Sequence, residues 1–104
     1  MILSTIHTVP NREITEILGI ARGSTVRARH VGRDIVGALK NIVGGEIEEY
    51  TQLQAQAREQ ALERLKEDAR KLNADAVVGV FITTAMVTRG AAEIMAYGTA
   101  VKLA

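Results

Sequence analysis

From about Glu46 to Leu72, apolar residues recur at steps of three and four. Ile47, Tyr50, Leu53, Ala57, Ala61, Leu65, Ala69 and Leu72 therefore fall on one stripe of an α-helix. Alanines in the middle of the stripe let the helix axis lie close to whatever covers it, and a sheet is the natural cover. Glu46, Glu48 and Glu49 sit in the first turn and Lys66, Arg70 and Lys71 in the last, which complements the helix dipole. Asn73 suits the left-handed position just past a helix end.

The segments around this helix supply the sheet. Residues from Ala76 to Val87 are almost all apolar or Thr, and after Thr88-Arg89-Gly90 a second such run spans Ala91 to Leu103; this reads as an antiparallel hairpin. Simple alternation puts Val78, Val80 and Ile82 on one face and Val77, Gly79 and Phe81 on the other. A helix covers one face only, so the other is expected to meet a neighbouring copy. Ile14 to Arg29 reads as a strand, bent or bulged where Gly19 and Gly23 interrupt it. A short strand over Ile2 to Val9 is stopped by Pro10-Asn11. Gly32 to Val43 has a shorter helical pattern through Ile35, Leu39, Ile42 and Val43, ended by a corner at Gly44-Gly45. The order is strand, short helix, long helix, strand, strand. The fold class expected is α/β, of the α+β kind: one β-α-β-β antiparallel sheet, helices on one side, and a short N-terminal strand.

A chain of 104 residues forms one core, so residues 1–104 are expected to make a single domain. Hydrophobic residues are 47% of the chain but aromatics only 3%, leaving a core of Val, Ile, Leu and Ala. So much small apolar material in a short chain points to burial against other copies. The net charge of +1 gives no global attraction to nucleic acid or acidic membrane. The absence of cysteine excludes disulfides and thiolate metal sites. No apolar run is long enough to span a bilayer and the N-terminus has no signal-peptide pattern, so the expected location is cytoplasmic.

Arg33-Asp34, Ile42-Val43-Gly44-Gly45, Tyr50, Ala57-Arg58, the run Leu72-Asn73-Ala74-Asp75-Ala76-Val77-Val78-Gly79-Val80 and the closing Gly98-Thr99-Ala100-Val101-Lys102 together resemble the YbjQ-like (UPF0145, DUF74) family. The resemblance covers nearly the whole chain. Asn73 stands where the family usually has Gly, a change that the left-handed helix cap tolerates. The resemblance implies a dodecin-like subunit, a β-α-β-β sheet with a packed helix, assembled as a pentameric ring that can stack to a decamer. It also brings a heavy-metal-binding label and no catalytic residues to carry over.

Three kinds of site follow as expectations. His7 and His30 are the candidate metal ligands, but they stand far apart in sequence without ligand-spaced partners, so ordinary histidines are the first expectation and a heavy-metal ion the second. Arg27, Arg29 and Arg33, with Arg22, are candidates for binding an anion around a ring, against the simpler reading of solvated or paired strand residues. Gly79 and Gly98 lie within strands, where glycine is tolerated when a backbone or ligand approaches closely; they are the candidate contacts between copies. A flavin, by analogy with dodecins, is not expected, since the chain has no Trp and Tyr50 falls on the core stripe. No nucleophile elbow, P-loop or paired His and carboxylate appears, so neither an enzyme nor a resident cofactor is expected. The expected partner is the chain itself, with neither nucleic acid nor membrane.

Overall fold

A computed structural model describes residues 1–28 and 48–104. Four strands, β1 (Ile2–Leu3), β2 (Ile14–Ala28), β3 (Ala76–Thr88) and β4 (Ala91–Leu103), form one sheet in the order β1-β3-β4-β2, and one helix, α1 (Glu48–Lys71), packs on it. The arrangement is α+β, as expected. β2 and β3 both run antiparallel to β4, whereas β1 is parallel to β3, so the sheet is mixed at that edge. The short helix expected over Gly32 to Val43, its Gly44-Gly45 corner, and the first residues of the long helix pattern lie outside the described residues.

The helix stripe works as its spacing requires. Ala57, Ala61, Leu65 and Ala69 have no exposed surface, and they pack with Ala21, Val77, Val80, Ile94, Ala96 and Ala100 from the sheet. Burying Leu65 alone contributes about 2 kcal/mol. The closest approach is to β2: a Cβ at Gly23 would overlap the backbone of Ala61, Arg64 and Leu65, so only glycine lets the helix lie there. α1 ends at Lys71, and Leu72, expected on the stripe, is 36% exposed in the turn beyond. Asn73 adopts φ 60°, its N–H donates to the Arg70 carbonyl (3.0 Å), and the Ala74 N–H reaches back to Ala69 (3.1 Å). These bonds form a Schellman cap that satisfies otherwise orphaned carbonyls.

A bulge in β3 overturns the expected alternation. Between Val78 and Phe81 the partner strand moves only from Thr99 to Tyr97, and Gly79 takes φ 63°. The extra residue shifts the side chains that follow, as far as a second register shift between Met86 and Thr88, to the opposite face. Val77, Val80 and Ile82 therefore share the helix side. Val78 lies on the other side in a second cluster with Val9, Ala76, Val101 and Leu103.

The same bulge explains why the N-terminal strand is shorter than Ile2 to Val9. Ser4 N–H donates to Val77 O (2.9 Å), and the adjacent N–H groups of Val80 and Gly79 donate to Ser4 O and Ile6 O (2.9 Å each). A regular ladder cannot continue along a bulged edge, so the segment after Leu3 follows β3 without being a strand. It then turns at Val9–Arg12, where Arg12 N–H donates to Val9 O (3.1 Å). Pro10 at the second position and Asn11 at φ 65° in the third are the residues of a type II turn.

Candidate functional site

Each expected site residue that lies among the described residues can be placed. Arg29, Arg33 and His30 lie outside them. Arg27 turns toward the helix: its Nη2 donates to Gln60 Oε1 (2.7 Å), which also accepts from Thr25 Oγ1 (2.9 Å). Thr25 is buried, so this hydroxyl needs the amide that Gln60 brings. The Arg27 Nε is buried and has no hydrogen-bond partner among the described residues. Nearby, Arg64 Nη1 donates to Ser24 O (2.6 Å) and the Arg22 backbone N–H donates to Asp68 Oδ2 (2.9 Å). A polar seam thus joins the second half of β2 to α1, beside the apolar stripe.

His7 lies against the Gly79 bulge. A Cβ at Gly79 would stand 3.0 Å from its Nδ1 and 3.1 Å from its Cε1, so a close approach does occur at this glycine, from the chain's own N-terminal segment. At Gly98 a Cβ would meet Val77 Cγ1 at 2.7 Å and Val78 O at 2.9 Å; neighbouring β3 fills that space. Among the described residues no three His, Cys, Asp or Glu side chains gather as metal ligands do. The exposed His7 meets a glycine rather than a second donor among the described residues. No helix among the described residues is long and apolar enough to cross a membrane.

Asp75, just before β3, ties the end of the chain to the start of the hairpin. Its Oδ2 accepts the Leu103 N–H (2.9 Å), its Oδ1 lies 3.7 Å from Lys102 Nζ, and its own N–H donates to Val101 O (2.9 Å). The Leu103 hydrogen bond first, then the charges of Lys102 and Arg12, hold its carboxyl below the usual Asp value.

The sheet face away from α1 is a further candidate surface. Val9 and its turn cover one end of it, but further along Ile17 (71% exposed), Ile20 (62%), Val26 (57%) and Phe81 (60%) are open to solvent. Tyr97 stands beside Phe81, ring centroids 6.0 Å apart at 48°. The sequence showed that one hairpin face would lack a helix, but the membership of that face depended on a bulge that alternation cannot reveal. A glycine inside an apolar strand was the available signal. At the edge of β3, Leu3, Ser4, Leu62, Val80 and Ile82 also line an apolar groove of about 660 Å³.

A family model described as "Putative heavy-metal-binding" matches residues 1–104. A UPF0145 protein of Archaeoglobus fulgidus is 59% identical over 99% of this chain and 95% of its own length. One from Methanosarcina acetivorans is 54% identical over 99% and 97%, and one from Thermus thermophilus 48% over 99% and 90%. A solved structure of a DUF74-family protein of unknown function from Pediococcus pentosaceus superposes with a TM-score of 0.66 at 18% identity, covering 100% of this chain and 98% of that one; at that identity the likeness concerns the fold alone. With identities of this size over nearly full lengths, the chain belongs to the YbjQ-like UPF0145 family.

Proposed function

We propose that this chain works as a self-assembling subunit of a homo-oligomer, a ring of five copies or two such rings stacked. The observation that carries the reading is the open sheet face with Ile17, Ile20, Val26 and Phe81 on it. Soluble monomers rarely expose apolar patches larger than a few hundred Å² unless a partner covers them. A second copy of the same chain supplies equally apolar surface, and repeated head-to-tail contacts close into rings. The ring size follows from the family resemblance. The reading assigns no catalytic step and no resident cofactor, and it places the assembly in the cytoplasm without nucleic acid or membrane as partner. Native mass spectrometry of the untagged chain tests it: a defined multimer is expected, dissociating when Ile17 and Ile20 are both changed to Glu. A monomer at tens of micromolar overturns the reading.

A second reading concerns an anion. The buried Nε of Arg27, unpartnered among the described residues, is a donor suited to an oxyanion, and Arg29 and Arg33 follow it closely in sequence. Phosphate raising the melting temperature of the parent but not of Arg27→Ala supports it; no effect on the parent removes it.

A further inference from the structure

Sheets expose two edges, and proteins normally blunt both, because unpaired N–H and C=O groups recruit other strands. In this chain the edge of β2 is blunted twice over. Two register shifts interrupt its first half. In its second half Asp68 accepts the Arg22 N–H and Arg64 donates to the Ser24 carbonyl. The opposite edge is occupied by the N-terminal segment as far as Val80, whose N–H donates to Ser4 O. Beyond Val80 nothing among the described residues pairs with the outer edge of β3, the side away from β4. The stretch Phe81-Ile82-Thr83-Thr84-Ala85-Met86-Val87 has no charge, no proline and no glycine, and Met86 (80%) and Val87 (54%) are solvent-exposed.

Because Val80 points its N–H outward, alternation turns the N–H and C=O of Ile82, Thr84 and Met86 to the same side. We infer that this edge pairs antiparallel with the same edge of a second copy about a two-fold axis at Thr84. The register has two independent supports. Thr84 is the midpoint of the stretch between the residue capped by Ser4 and the end of β3 at Thr88, so the N-terminal segment acts as the stop. Centred there, Ile82 faces Met86 of the second copy, Thr83 faces Ala85 and Thr84 faces its own counterpart, and the register shift between Met86 and Thr88 ends the ladder. Exposed apolar residues meet apolar residues, which is how cross-strand pairs stabilise a sheet. Two copies also bring no like charges together along the stretch. Edge pairing over so short a stretch is small beside the roughly 1,200 Å² that stable interfaces bury. It therefore rests on the self-assembly proposed above, joining through a two-fold axis the two rings that the open face builds.

The chain has no cysteine, so a single introduced thiol reports the pairing cleanly. In an assembly of even copy number, Thr84→Cys is expected to give covalent dimers under mild oxidation, and Glu59→Cys, exposed on α1 away from both surfaces, is expected to give none. Thr84→Pro removes an outward N–H without touching the β4 ladder and is expected to halve the native mass. A multimer of odd copy number, one that Thr84→Cys does not crosslink, or a folded Thr84→Pro variant of unchanged mass overturns the edge pairing and leaves self-assembly standing. A monomeric parent overturns both.

Discussion

The backbone N–H of Leu103 lies 2.9 Å from Oδ2 of Asp75, which fastens the last strand to the entrance of the hairpin. The bond favours the ionised carboxylate, so the folded-state pKa is held below the usual Asp value. A group of this kind contributes stability that is fully present above its unfolded pKa and is lost as pH falls through its folded pKa. Acid unfolding followed by circular dichroism is expected to show this loss below about pH 4. In Asp75→Ala the folded state is expected to be weaker at pH 7 and its stability to fall less steeply through the same window. An unchanged acid profile in the variant contradicts this assignment.

Asn73 holds its helix cap at φ 60°, a conformation that costs an ordinary L-residue about 1 kcal/mol or more and glycine nothing. Urea titration is expected to show Asn73→Gly at least as stable as the parent and Asn73→Ala about 1 kcal/mol less stable. The reverse order contradicts the cap.

Gly23 has helix backbone where a side chain would go. No rotamer change relieves an overlap with backbone atoms, so Gly23→Ala is expected to cost about 3 kcal/mol, visible as a large fall in melting temperature. A loss below about 1 kcal/mol would mean that α1 lies further from β2 than described.

Gly79 combines a positive φ of 63° with the His7 imidazole at van der Waals range. Gly79→Ala is expected to cost about 2 kcal/mol, in part from backbone strain and in part from crowding. Adding His7→Ala removes only the crowding, so the double variant is expected to recover about half of the loss. A double-mutant cycle with no coupling places His7 elsewhere.

The stripe from Ala57 to Ala69, the hairpin and the Asn73 cap were all legible, because period, turn residues and cap chemistry are local properties. The split between Val78 and Val80 was not. Alternation assumes an unbroken ladder, and the Gly79 bulge is stabilised by the N-terminal segment, far away in sequence. Arg27 was picked out for its charge, but its bond to Gln60 depends on how the helix sits on β2, and spacing alone does not reveal that. The exposure of Ile17 and Ile20 was hidden for a related reason: an apolar residue reads the same in sequence whether its own chain or another copy covers it.

The bulge at Gly79 also divides the domain into two tiers of resistance to opening. Below it, Val77 and Val101 are buried in the two clusters, so their backbone amides are expected to exchange with solvent deuterium only on global unfolding. Above it, the β3 arm from Thr83 to Thr88 is solvent-exposed while the β4 arm keeps Ile94 and Ala96 in the core, so amides of the β3 arm are expected to exchange by local fraying. The chain is thus a firm platform carrying a soft antenna, which stiffens only when another strand lies against it.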